Sequence, residues 1–198
     1  LAGATVDASG TLLARLVGAR WSGEVLDGGR ISIDARRGFL IADAAAVIRS
    51  DGSRGALHVP DAAGRVGLAD VASDGGSIHL GAREGLYVDA LLSAQAGGSG
   101  AVGGSLSVAL DHGATEWNNV SGLPVAQRDA LNATRSLVLL REAGGTSAAL
   151  AAAQPDAASY AGRGEISAAG ILAGGFRDLS LRAAGRASSN GQLRFTED

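Results

Sequence analysis

The chain predicts an all-β solenoid, a coil of short strands stacked on one another, and three observations predict it. The first is the stretch 75–110, which opens on Gly75-Gly76 and alternates Ile78 and Leu80 with Ser77 and His79. It then repeats the opening as Gly103-Gly104 followed by Leu106, Val108 and Leu110 alternating with Ser105, Ser107 and Ala109. Alternation of this kind places every second side chain on one face of a strand. The second is periodicity: such openings stand at Gly29, Gly55, Gly76 and Gly104, at intervals of 26, 21 and 28 residues (55 − 29, 76 − 55, 104 − 76), and periods of 20–50 residues mark solenoids and arrays. The third is composition. Glycine supplies 31 of 198 residues and aromatic residues only 4%, so the core is aliphatic and the glycines serve as corners.

Taken in order, residues 1–27 are the least regular part. Thr11 to Val17 reads as strand segments or a short helix, and Trp21 to Leu26 as another strand. Gly28-Gly29 opens the first clear unit, with Ile31 and Ile33 alternating against Arg30, Ser32 and Asp34. Gly38 turns the chain into Phe39-Leu40-Ile41, and Val47-Ile48 follows. Ser50-Asp51-Gly52-Ser53 and Asp61-Ala62-Ala63-Gly64 are turn signals on either side of Leu57 and Val59. Val66, Leu68 and Val71 lead into the stretch from Gly75. With no helix-length amphipathic segment between strands, parallel neighbours need another crossover, and the two remaining strands of each coil supply it. Inward residues of successive coils then form ladders such as Ile31, Leu57, Ile78 and Leu106.

The rhythm breaks over 111–163, where Trp117, Pro124 and Pro155 fall; Ser136 to Leu140 reads as one strand inside it and Ser147 to Ala153 as a helical turn or small-residue loop. It resumes at Gly164 with Ile166, Leu179 and Leu181, and Asn190-Gly191 turns into Leu193 and Phe195. The organisation expected is solenoid coils over 1–110, an excursion packed on them over 111–163, and resumed coils over 164–198.

Several function classes fall away. The formal charge of −3, with 17 basic and 20 acidic residues, gives no electrostatic case for nucleic acid. All the basic residues are Arg, which a GC-rich coding sequence explains. Absence of cysteine removes disulfides and thiolate metal sites. No apolar run reaches the roughly 18 residues of a membrane span, and Leu1 to Arg20 lacks the pattern of a signal peptide. With no methionine in the chain, it reads as a piece of something longer. No cofactor or metal is expected: His58, His79 and His112 lie far apart in sequence, and the match between His58 and His79 one coil later suggests stacking on an outward face. Gly97-Gly98-Ser99-Gly100 is followed by Ala101 rather than the Asp of a calcium-binding repeat or the Lys of a phosphate loop. Asn119-Val120-Ser121 and Asn132-Ala133-Thr134 fit the short glycosylation pattern.

The segments GGRISIDARRGFLIADAAAVIRSDGS, GGSIHLGAREGLYVDALLSAQAGGSGAVGGSLSVAL and GRGEISAAGILAGGFRDLSLRA resemble the shaft of the filamentous haemagglutinin family, large bacterial exoproteins exported by two-partner secretion. The resemblance covers 28–110 and 162–198. It implies a right-handed parallel β-helix, a secreted or bacterial cell-surface location, and a role in adhesion. Its implied partners are the outer-membrane transporter of a two-partner system during export and a host receptor or glycan afterwards. The chain departs from the family's Asn-rich secretion domain, since its first asparagine is Asn118. It also lacks an Arg-Gly-Asp motif, because Arg37-Gly38, Arg54-Gly55 and Arg163-Gly164 run into Phe39, Ala56 and Glu165. The expected function is therefore a structural, non-enzymatic shaft segment of an adhesin. The same shaft presents a toxin in contact-dependent growth inhibition relatives. A third alternative is a β-helical polysaccharide lyase or hydrolase, for which Asp111, His112 and Glu116 beside Trp117 are the best local cluster; the bland reading of that cluster is a solvated loop rim. If the chain binds a receptor directly, Trp117 and Tyr160 are the candidate contacts, as exposed aromatic anchors. The competing role for both is to cover the seam of the coil.

Overall fold

The computed structural model describes residues 1–36, 38–111, 134–152, 160, 162–185 and 191–195. Of these, 54% are strand and 8% helix. Glycine pairs and turns break the chain into short strands, and twelve of the sixteen among the described residues gather into three parallel sheets.

The first sheet is built from β4 (Arg30–Ala35), β9 (Ser77–Ala82), β12 (Ser105–Asp111) and β15 (Asp178–Ala184), in that order. The second orders β5 (Phe39–Ala42), β10 (Gly85–Val88), β14 (Arg163–Ser167), β13 (Arg135–Leu140) and β16 (Gly191–Phe195). The third holds β1 (Thr5–Asp7), β6 (Val47–Arg49) and β11 (Leu91–Ser93). The chain visits the sheets in rotation: β4, β5, β6, then β9, β10, β11. From β4 to β11 each parallel crossover is thus made by the strands of the other two sheets, with no long amphipathic helix among the described residues to make it.

Alternation decides what faces inward. Ile31, Ile78, Leu106 and Leu179 share one register position in the first sheet, and Ile33, Leu80, Val108 and Leu181 another. Across the second sheet Ala42, Val88, Ile166, Leu139 and Phe195 align, and the third contributes Val6, Ile48 and Leu92. The inner members of these rows converge in one aliphatic cluster in which Ile48, Leu80, Leu86, Val108, Leu110 and Leu137 are fully buried, while Leu179 and Phe195 on the edge strands β15 and β16 stay exposed. Rows repeat at the strand spacing of about 4.8 Å. Where two circuits meet at a corner there is no room for a side chain: a Cβ on Gly76 would overlap the Gly29 carbonyl and the Ser50 hydroxyl, and one on Gly104 the Gly76 carbonyl. The double glycines are a packing requirement.

Several expectations change. Gly55 does not open a circuit. It lies in β7 (Arg54–Pro60), which with β8 (Val66–Ala72) forms an antiparallel hairpin inserted between β6 and β9. One circuit therefore runs from Gly29 to Gly76, and Leu57 leaves the ladder that Ile31, Ile78 and Leu106 form. Residues 11–17 are strand rather than helix: β2 (Leu12–Val17) and β3 (Arg20–Val25) make a second hairpin between β1 and β4. His58 and His79 do not stack, because His58 belongs to the β7–β8 hairpin and His79 to β9. The strand expected at Ser136 to Leu140 is present as β13, but it is placed out of chain order, one position beyond β14. Leu137 there stacks on Gly164, whose missing side chain leaves the space. Helix α1 (Thr146–Ala152) follows β13, and α2 (Ala168–Ala173), capped by the Ser167 hydroxyl accepting from the Gly170 N–H, packs beside β11 where a third-sheet strand would otherwise continue.

The corner geometry is testable by urea unfolding. Gly76→Ala is expected to cost about 1–3 kcal/mol through forced overlap. Gly67→Ala, in β8 with open space around it, is expected to be neutral or to stabilise by up to about 1 kcal/mol. Equal effects at the two positions would refute the close-approach explanation.

Candidate functional site

Two regions stand out from the sheets, one on the outer face of the second sheet and one at the corner between the third and first.

Outward positions of the second sheet form a row of Ile41, Tyr87, Glu165, Val138 and Arg194. Unlike an ordinary solvent face, its middle is covered, and Tyr87, Glu165 and Val138 are buried. Helix α1 lies against β5 and β10, with Leu150 buried and the Ser147 hydroxyl bonded to the Asp89 carboxylate at 2.5 Å. Tyr160 completes the cover. Its ring meets that of Tyr87 edge to face, centroids 6.0 Å apart and planes at 84°, a favoured aromatic geometry. The Tyr87 hydroxyl donates to the Tyr160 carbonyl at 3.2 Å. Burial pushes the Tyr87 phenol well above its ordinary value, and the nearby Glu165 carboxylate pushes the same way. Tyr87 is therefore a neutral donor. Glu165 in turn is held by Arg163 at 2.6 Å.

Of the two candidate receptor contacts, Tyr160 is thus half-buried on this face, its ring against Tyr87. Trp117 lies outside the described residues. The acid cluster is divided in the same way: His112 and Glu116 lie outside the described residues, while Asp111 ends β12 and pairs with Arg182 at 3.0 Å. Arg135 is completely buried nearby. Burial lowers its proton affinity, and the charges of Glu84 and Asp111 raise it. In this setting Asp111 balances guanidinium groups. Asn119 and Asn132 also lie outside the described residues.

A shallow cleft of about 440 Å³ follows the glycine corners, walled by Arg30, Asp74, Ser77, Ser105, Arg177 and Asp178. Its acids are engaged: Asp178 with Arg177 at 2.7 Å, and Asp74 with the Val102 N–H at 2.9 Å. Among the described residues no three His, Asp or Glu side chains group so as to hold a metal ion. Nor is any helix among them long and apolar enough to cross a membrane.

The second region, the paired hairpins, escaped the sequence reading. Its signal was present. Val17 pairs with Arg20 across a two-residue loop in which Gly18 has φ 63°, the Gly-X turn that suits a tight hairpin. The β7–β8 loop uses Asp61, whose carboxylate accepts from the Ala63 and Arg65 N–H groups, and Gly64 at φ 76°. The two hairpins touch: Leu12 lies over Gly55, and the Trp21 N–H donates to His58 Nδ1 at 3.0 Å. Beyond that contact they project, with Leu13, Leu16, Val17, Trp21, Val66 and Leu68 exposed.

No family model, curated protein or solved structure matches the chain.

Tyr87 gives this face a pH signature. A phenol whose folded value is raised contributes stability that is fully present below its unfolded value of about 10 and is lost as pH rises through the folded value. Tyr87→Phe is expected to cost about 1 kcal/mol at pH 7 through the lost hydrogen bond, and to flatten the loss of stability above pH 10. Urea titrations at pH 7 and pH 11 check this; an unchanged alkaline slope would assign the dependence to other groups.

Proposed function

We propose that this chain is a structural shaft segment of a large secreted bacterial surface adhesin, built as a right-handed parallel β-helix of the filamentous haemagglutinin type. The observation that carries the reading is the rotation of the chain through three parallel sheets, with aliphatic rows kept in register from circuit to circuit. Parallel crossovers are overwhelmingly right-handed, and a stack in which each circuit touches only its neighbours adds length without adding a new core. Such an object serves as a spacer and a display surface. The absence of cysteine suits export of an unfolded chain through an oxidising compartment by the outer-membrane transporter of a two-partner system.

Attachment to a host receptor or glycan is assigned to the segment between β12 and β14, with Trp117 and Tyr160 as its candidate contacts. The engagement of Asp111 by Arg182 and of the cleft acids by their own partners speaks for a shaft over polysaccharide chemistry.

Beads coated with the purified chain test the proposal on cultured epithelial cells. Coated beads are expected to attach above the level of bare beads, and Trp117→Ala to lower attachment roughly tenfold or more, the size of a lost aromatic hot spot. Circular dichroism of the variant should be unchanged. Attachment no better than bare beads would sink the adhesin reading, and full attachment by the variant would remove Trp117 from it.

A further inference from the structure

The paired hairpins carry an interaction of their own. β2 pairs with β3 and β8 with β7. The hairpins meet chiefly between β3 and β7, with Leu12 at the start of β2 also over Gly55, so β2 and β8 are the strands less engaged in that contact. Each leaves one row of backbone N–H and C=O groups without a strand partner among the described residues. With six and seven residues, each edge is about 20 Å long. Such an edge is a template for another strand unless something blunts it. Neither β2 nor β8 contains a proline. Both carry exposed apolar side chains. Of the fourteen large hydrophobics exposed among the described residues, seven (Leu12, Leu13, Leu16, Val17, Trp21, Val66 and Leu68) belong to these two hairpins.

The two edges also carry opposite charge. β2 has one charged residue, Arg15, and β8 has one, Asp70. Both are exposed, and neither forms a salt bridge among the described residues. Two copies of β2 placed together bring like charges close, and so do two copies of β8. A β2 edge against a β8 edge brings Arg15 to Asp70, with leucine and valine on either side.

We infer that the occupant of this surface is a second copy of the chain, whose β8 adds edge-on to β2 and sets Asp70 of the neighbouring copy against Arg15. The contact is heterologous, since the two copies use different edges. Each added copy leaves one β2 and one β8 edge free, so association is open-ended. For a shaft, this would join neighbouring molecules side by side through their projecting hairpins.

Sedimentation velocity of the purified chain over a range of concentrations tests the inference. The mass is expected to rise with concentration and to pass beyond a dimer. Arg15→Asp and Asp70→Arg are each expected to weaken association roughly tenfold, because an attractive cross-strand pair becomes a repulsive one. An equimolar mixture of the two variants is expected to associate again, since the carboxylate introduced on β2 of one then meets the guanidinium introduced on β8 of the other. Both positions are exposed and outside the core, so circular dichroism should match the parent chain. A chain that stays monomeric throughout would overturn the inference. So would a species that stops at dimer and ignores both charge reversals, which would indicate a symmetric contact instead.

Discussion

Registration of inward aliphatic side chains at one strand spacing is the constraint on which the rest depends. Parallel strands do not lock through paired hydrogen-bond rings as antiparallel ones do, and a slip of one residue would turn every inward side chain outward. Ile33, Leu80, Val108 and Leu181 occupy one row, and Leu80 and Val108 are fully buried. Such a row holds only if each circuit returns to the same height. The glycine corners enforce that return. At Gly76 and Gly104 the backbones approach too closely for any Cβ, so the next circuit lies directly on the last. The Ser50 hydroxyl, itself fully buried, donates to the Gly29 carbonyl at 2.5 Å, and the same carbonyl accepts from the Ser77 N–H at 2.9 Å, so the buried hydroxyl is satisfied at the corner.

Because register is fixed at the strands, length can vary at the corners without disturbing the core. The corner before the first sheet holds a hairpin ahead of β4, another ahead of β9, an eleven-residue loop of residues 94–104 ahead of β12, and only residues 174–177 ahead of β15. Arg30, Ser77, Ser105 and Asp178 nevertheless align. The corner after the first sheet is equally permissive: residues 36–38 suffice after β4 and residues 83–84 after β9, while the whole stretch to Arg163 intervenes after β12. Yet β14 meets β10 with Arg163 opposite Gly85, as though nothing had been inserted.

Much of this was legible in residues that are buried on one side only. At 77–82 and 105–110 the alternation of aliphatic with small polar residues marked strands, and it did so because one face meets the core and the other meets water. It misled at Gly55 and Leu57, where the same alternation belongs to a hairpin; local pattern reports a two-faced strand but not which sheet receives it. At Leu12 to Val17 it carried no weight, since both faces of β2 are exposed and no burial difference sorted its residues. The position of β13 was beyond reach for another reason. Its aliphatic run fits any place in the second sheet, and what selects the place beyond β14 is the space left by Gly164, a contact between residues far apart in sequence. Of the candidate site, Tyr160 was legible as an aromatic in a region of broken rhythm. Its partner Tyr87 was not, because within β10 it reads as one more core residue.

The outer faces of the first two sheets explain why the chain leaves its rhythm after β12. The first sheet presents Ser32, His79, Ser107 and Ser180 outward in one row, with His79 Nδ1 3.2 Å from the Ser107 hydroxyl; water can solvate that row. The second presents Ile41, Tyr87 and Val138 in a row with Glu165 and Arg194, and water solvates its three large apolar members poorly. Those members need a second layer, and α1 with Tyr160 supplies it from the segment between β12 and β14. That segment is therefore structural where it touches the sheet. Any binding role it carries rests on a base fixed by Tyr87, Asp89 and Leu150, and side chains displayed from such a base lose less freedom when a partner binds than those of a free loop.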